Sequence, residues 1–508
     1  MPDSIGNLES LTELLAYNSG IKELPSTIGS LSYLRKLSVG KCKLLSKLPD
    51  SFKTIASITE LDLDGTSIRY LPDEIGEMKQ LRKLDIGNCS NLESLPESIG
   101  HLASLTTLNI INGNIRELPA SIGLLDNLVN LTLNKSMKDL PESFGMLSSL
   151  RTLRMAKRPH LVPISVENTG SFVLPLPSSL EGLSFLKKLS LPNCTELISL
   201  PSLPSSLIEL NADNCYALET IHDVSNLESL EELKLTNCDK VVDITGLECL
   251  KSLKRLYLSG CNACSSKVCK RISKVALRNF QNLSMPGTKL PEWFSAGTVS
   301  FSKRKNLDLT SVVVGAIISI NHNIDIPIRR EEMPCIIDVE ANVFKLGKRI
   351  FNTTLNIHGM PRTNVDHIHL CRFKDYHPLV SLLKDADTFC VTTRSPPFDK
   401  GLKLKKCGVH LIFEGDDDYE GEEESLDIGL QSVSERLTMF FNTCDEGVDN
   451  TESEDDRCQH ELEHEKEETG SRLLGFNFKC SFIISFLLSL FFVLLGWVGF
   501  GLSLCLVL

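Results

Sequence analysis

Leu95-Pro96-Glu97-Ser98-Ile99-Gly100-His101-Leu102-Ala103-Ser104-Leu105-Thr106-Thr107-Leu108-Asn109-Ile110 opens one period of a pattern that fills the first half of the chain. The Leu-Pro pair also stands at Leu24-Pro25, Leu48-Pro49, Leu71-Pro72, Leu118-Pro119 and Leu140-Pro141, so successive pairs are 24, 23, 24, 23 and 22 residues apart. Each unit carries three apolar residues at L-x-x-L-x-L spacing: Leu34/Leu37/Val39, Ile58/Leu61/Leu63, Leu81/Leu84/Ile86, Leu105/Leu108/Ile110, Leu128/Leu131/Leu133. The pattern begins at Leu11/Leu14/Ala16, reaches Leu150/Leu153/Met155, and breaks over 158–182. It resumes at Leu186/Leu189/Leu191, Leu207/Leu210/Ala212, Leu230/Leu233/Leu235 and Leu253/Leu256/Leu258, eleven units in all.

A period in the low twenties on this core is the leucine-rich-repeat signature. Each L-x-L predicts a short strand with its leucines inward and the intervening residues on a concave parallel sheet. The fold class expected for 1–262 is therefore an α/β leucine-rich-repeat solenoid. Three residues past the last apolar position stand Cys42, Thr66, Cys89, Ser136, Cys194, Cys215, Cys238 and Cys261. A small polar group there can bond the backbone of the neighbouring rung. Six of the 17 cysteines take this position, and the job needs a reduced thiol, which points to a reducing compartment. The segment after each Leu-Pro is expected to return along the convex side as a short helix with Pro in its first turn. Residues 158–182, with Pro159, Pro163, Pro175 and Pro177, read as a loop island. Met1-Pro2-Asp3-Ser4-Ile5-Gly6 aligns with Leu95 to Gly100, so the chain reads as starting in mid-repeat, a piece of something longer.

The positions around the strand leucines make the candidate binding face: Arg35, Lys36, Glu60, Asp62, Arg82, Lys83, Arg151, Arg154, Lys187, Lys188, Glu231, Glu232, Lys254, Arg255 and Tyr257. They predict a mixed-charge surface for a protein ligand; aromatic anchors are scarce, Tyr257 being the best, so no strong hot spot stands out.

Of 508 residues, 42% are apolar and 6% aromatic, which excludes collagen, coiled coil and wholesale disorder. The net charge of −12 is an average of unlike parts: 414–468 holds 22 acidic against 3 basic side chains, leaving the rest mildly basic and poorly suited to nucleic acid. After a basic connector (263–283), in which Ser265 to Arg278 reads as one polar-faced helix, β-rich runs separated by turns predict a β-sandwich over 284–415. Residues 416–479 read as an acidic disordered linker. Residues 480–508 carry no charge and are long enough for a transmembrane helix. Met1-Pro2-Asp3-Ser4 is no secretory signal. Arg472 and Lys479 precede the span, so the positive-inside rule predicts a tail-anchored, intracellular protein with its bulk in the cytosol.

The second half also carries Pro286-Gly287-Thr288-Lys289-Leu290-Pro291-Glu292-Trp293-Phe294 and ends in Lys406-Cys407-Gly408-Val409-His410. Leu-Pro-x-x-Ile-Gly repeats with a cysteine ladder, followed by P-G-x-x-x-P-x-W-F, resemble the C-terminal half of plant TIR-class NLR disease-resistance proteins over roughly 1–415. The resemblance implies a jelly-roll/Ig-like domain after the repeats, with Pro286, Gly287, Pro291, Trp293 and Phe294 as its motif. It also implies recognition of a pathogen effector or another immune receptor. The chain departs from the family in having no G-x-x-x-x-G-K-[ST] loop and no TIR domain, so neither nucleotide binding nor NAD cleavage carries over. A truncated decoy or membrane-tethered regulatory scaffold is the alternative.

His460-Glu461-Leu462-Glu463-His464 spells the H-E-x-x-H zinc motif, but its acid-rich surroundings build no dry cleft. Cys261, Cys264 and Cys269 lack a fourth ligand. His367, His369 and Cys371 share one face of what reads as a surface strand. No catalytic residue, metal or cofactor is expected.

Overall fold

The computed structural model describes residues 1–134, 137, 140–156, 176–177, 179–264, 266–275, 280–304, 307–320, 335–355, 357–359, 361, 363–395, 401–416 and 432–443. Its first half is the expected solenoid. Short strands centred on Leu14, Leu37, Leu61, Leu84, Leu108, Leu131, Leu153, Leu189, Leu210, Leu233 and Leu256 pair in parallel, leucine opposite leucine. A twelfth rung, Asn282–Pro286, follows with Leu283 opposite Leu256. The central leucines are buried from Leu37 onward, which removes several CH2 groups per rung from water.

The cysteine ladder holds its place. Cys42, Cys89, Cys215, Cys238 and Cys261 each donate a thiol hydrogen bond to a carbonyl one rung back, those of Ala16, Leu63, Leu191, Ala212 and Leu235, at 2.8–3.2 Å. Beside it runs a second ladder that the periodicity did not announce. Asn88, Asn193, Asn214 and Asn237 turn the chain at φ 55–60°, and Asn214 and Asn237 each donate their side-chain amide to the asparagine one rung back, at 3.1 and 2.8 Å. Asparagine tolerates this left-handed turn better than most residues.

On the convex side the expected helices are single 3-10 turns, such as Asp73–Glu77, Glu97–His101 and Ala120–Leu124, and each proline stands at the N-cap, one residue ahead of the turn. The repeated glycine of these turns has a packing cause. A Cβ on Gly100 or Gly123 would collide with the carbonyl oxygen of Ser121 or Ser143 in the next rung.

The solenoid sheet does not stop at the last repeat. His367–Lys374 pairs antiparallel with Asn282–Pro286, Leu309–Ile320 pairs with His367–Lys374, and Leu402–Phe413 pairs with Leu309–Ile320. A four-stranded antiparallel sheet (Thr298–Ser300, Thr388–Thr393, Val339–Lys345, Lys348–Thr354) faces this extension. A second core lies between them, with Val312, Val314, Ala316 and Ile318 from one side and Ala341, Val343, Phe389 and Val391 from the other. Val313 points the opposite way, into the solenoid core. The β-unit expected at 284–415 thus begins as a continuation of the repeats.

The basic connector contains a helix, as expected, over Ser266–Ile272, with Val268 and Ile272 buried. Its Arg271 donates to Asp243 at 2.8 and 3.0 Å and to Glu248, which ties the helix to the preceding rung. Within the segment read as an acidic linker, Val433–Thr443 is a helix. Its Val433, Leu437 and Phe441 enter the solenoid core, and it packs on Ser266–Ile272. Among the described residues no helix is long and apolar enough to cross a membrane. The run 480–508, the rest of the acidic segment and most of 158–182 lie outside the described residues.

Candidate functional site

The concave face is built by the residues flanking each central leucine, and the register stacks them in rows. Within the rows most of the predicted charges neutralise one another. Glu60 lies between Lys36 (3.4 Å) and Lys83 (3.0 Å), and the Lys83 hydrogen bond holds its carboxyl below the usual range. Lys188 pairs with Glu209 (2.8 Å) and Lys254 with Glu231 (2.7 Å). Glu232 is buried rather than exposed. Burial alone would raise its pKa, but Lys234 (2.8 Å) and Arg255 (3.2 Å) bring it below the ordinary value. Asp62 accepts from Ser38 Oγ (2.6 Å) and from the Asp64 N–H. The exposed pairs contribute little to stability, on the order of 0–1 kcal/mol each.

Five of the predicted residues are different. Arg35, Arg82, Arg151 and Arg154 are exposed and Lys187 is half-buried, and none makes an ion pair among the described residues. Between the charged zones, the floor of the middle rungs is neutral: Thr107, Asn130 and Thr152 in one row, Asn109 and Thr132 in the next.

Tyr257 is no exposed anchor. It is only 4% exposed, because the segment around Ile357–His358 of the β-unit covers the concave side of the last rungs. The His358 ring lies 4.7 Å from the Tyr257 ring and its Nε2 is 2.8 Å from Asp213 Oδ2, while Asn282 donates to the Tyr257 hydroxyl at 3.1 Å. The open concave surface therefore ends before Tyr257.

The Pro286–Phe294 motif is an internal wedge. Pro286 ends the last parallel strand, Gly287 N–H bonds Asp366 O (2.9 Å), and Pro291 is buried. Trp293 meets His410 edge-on at 4.6 Å, and burial pushes the His410 pKa down to about 4. Phe294 sits over Gly315 and Gly408, which are paired across adjacent strands; any side chain there would strike it.

His367, His369 and Cys371 are buried, not on a surface strand, because their strand lies between Asn282–Pro286 and Leu309–Ile320. His367 Nε2 accepts the Gly260 N–H at 2.9 Å. Desolvation pushes His367 to about 4 and His369 to about 3, so both are neutral imidazoles at neutral pH. Among the described residues no group of three or more His, Cys, Asp or Glu is arranged to hold a metal ion. Cys261 is occupied by the Leu235 carbonyl, and His460 and His464 lie outside the described residues.

Residues 1–94 and 73–173 match the family model of a leucine-rich repeat region. No curated protein matches the chain. Among solved structures, a leucine-rich repeat protein of Leptospira interrogans is 22% identical, covering 55% of this chain and 91% of that one, with a TM-score of 0.29. The leucine-rich repeat domain of the type III effector XopL is 24% identical over 50% of this chain and 78% of its own, TM-score 0.36. The plant peptide hormone receptor RGFR1, in complex with RGF2, is 19% identical over 54% and 55%, TM-score 0.28.

Proposed function

We propose that this chain is a non-catalytic protein-recognition module of plant innate immunity, resembling the sensor half of a TIR-class NLR receptor, and that it reads a protein ligand along its concave sheet. Leucine-rich-repeat solenoids use such extended concave surfaces for binding. The observation that carries the reading is the middle of that face. There, short polar side chains form an open floor beside unneutralised cations, whereas the last rungs are closed by the chain's own β-unit. The plant affiliation and the jelly-roll/Ig-like identity of the β-unit rest on the Leu-Pro-x-x-Ile-Gly repeats and on the Pro286–Phe294 wedge. Tethering to the cytosolic side of a membrane rests on the uncharged run 480–508 with Arg472 and Lys479 ahead of it.

The test is quantitative capture from extract of pathogen-challenged leaf. The intact chain is compared with a variant in which Arg35, Arg82, Arg151, Arg154 and Lys187 are all changed to Glu. The expected result is a defined set of proteins retained by the first and lost by the second. Equal retention by both would overturn the concave-face reading. Release of the chain by alkaline carbonate would overturn the membrane tether.

A further inference from the structure

We infer that the open part of the concave face docks an acidic segment of a protein partner, laid across the strands along a row of unneutralised cations. This deepens the proposed function and rests on the concave face being the reading surface.

The row is built by the backbone. The residue two positions ahead of each central leucine donates its N–H to the carbonyl at the same position one rung back. From Arg35 through Thr59, Arg82, Thr106 and Val129 to Arg151 and Lys187, these bonds are 2.8–2.9 Å. Arg35, Arg82, Arg151 and Lys187 therefore stand on one line with only neutral residues between them. Six strand steps separate its ends, about 29 Å at ordinary strand spacing. Arg154, in the row that also holds Thr132, adds a fifth cation to the same rung as Arg151.

The sign of the partner follows from what the nearby acids are doing. Glu60 is clamped by Lys36 and Lys83 in the next row. Asp62 and Asp85, paired in the row beyond the leucines, are engaged within the sheet, Asp62 by Ser38 Oγ and the Asp64 N–H and Asp85 by the Gly87 N–H and the Asn109 side chain. Past Lys187 the pattern changes: the same line continues to Glu231 and Lys254, which neutralise each other at 2.7 Å. The surplus positive charge is thus confined to the rungs that the β-unit leaves uncovered. Arginine forks suit carboxylates in bidentate geometry. An extended segment of about nine residues spans the row, and alternate side chains on one face of such a segment reach it. The floor of threonines and asparagines leaves room for its backbone and supplies hydrogen bonds.

The test uses the whole chain and a fluorescent peptide of alternating Glu and Ser, about nine residues long. The same peptide with Lys for Glu, and a single-stranded oligonucleotide of equal charge, serve as comparators. The inference expects the Glu-Ser peptide to bind at low salt, to weaken as salt rises, and to lose about tenfold in affinity on combined Arg82→Glu and Arg151→Glu substitution. Lys47→Glu with Arg69→Glu, exposed cations outside the strand rows, should leave binding unchanged. Equal loss in both double variants, no binding, or tighter binding of the oligonucleotide through Arg82 and Arg151 would overturn the inference. If leaf capture depends on the concave face but is insensitive to these two reversals, the acidic segment is wrong and the proposed function stands.

Discussion

His358 Nε2 lies 2.8 Å from Asp213 Oδ2 across 145 residues of sequence, and this contact seals the β-unit over the concave side of the last rungs. Asp213 is well placed to hold it, since its other oxygen accepts the Thr236 N–H at 2.9 Å. We expect Asp213→Asn and His358→Ala each to cost about 1–3 kcal/mol, with the double variant costing less than their sum. Hydrogen exchange should rise at 357–366 and leave the first rungs unchanged. Unchanged protection at 357–366 would show that the seal is held by something else.

The thiol ladder predicts both stability and reactivity. Cys215→Val removes the donor to Leu191 O and should cost about 1–3 kcal/mol in denaturant unfolding. Burial also raises the thiol pKa values of Cys89 and Cys238, which slows alkylation. Under native conditions iodoacetamide should label exposed Cys249 well before Cys42, Cys89, Cys215, Cys238 or Cys261. Early labelling of any ladder cysteine would contradict the assignment.

Gly408→Ala should destabilise the chain by about 1–3 kcal/mol, because its Cβ would stand 2.9 Å from Phe294 Cβ and 3.0 Å from Ser295 O. Gly145→Ala, where the added methyl meets nothing within 4 Å, is the control and should be neutral or mildly stabilising. Thermal unfolding of the two variants side by side decides the matter.

The leucine spacing placed eleven rungs, and the cysteine positions placed the ladder, because both depend on short-range geometry that repeats identically. The Asn-Cys dipeptides at 88–89, 193–194, 214–215 and 237–238 carry the second ladder in the sequence as well, one residue ahead of the first. The Val433–Thr443 helix was hidden by its acidic surroundings. Its own signals were present: Ser432 and Glu435 form a reciprocal cap (2.7 and 3.2 Å), followed by Val433, Leu437 and Phe441 at helical spacing. The burial of Tyr257 and His369 was not legible, since nothing local says that His358, a hundred residues on, folds back over Tyr257, or that the strand of His369 lies between Asn282–Pro286 and Leu309–Ile320. Of the binding face, the identity of the charges was legible and their pairing was not. Only the register shows that Glu60 serves two lysines while Arg82 has none.

Acid should loosen the junction between repeats and β-unit. His367 and His369 are neutral in the fold, at about 4 and about 3 against an ordinary value of 6.5, so the unfolded chain binds more protons than the folded one below that value. Their contribution is fully present above pH 6.5 and is lost as pH falls toward 4. His369→Gln should flatten that part of the stability profile between pH 6.5 and 4, measured by denaturant unfolding. A profile as steep as that of the unaltered chain would place the titration elsewhere.

The central claim is that the open concave rungs touch the ligand. Its most direct measurement is photo-crosslinking in challenged leaf tissue, with a benzophenone residue placed at Thr132 on the concave floor or, as comparator, at Glu142 in a convex turn. The account predicts a discrete adduct from position 132, absent from position 142 and lost when Arg82 and Arg151 are reversed. An adduct from the convex position alone, or equal adducts from both, would contradict it.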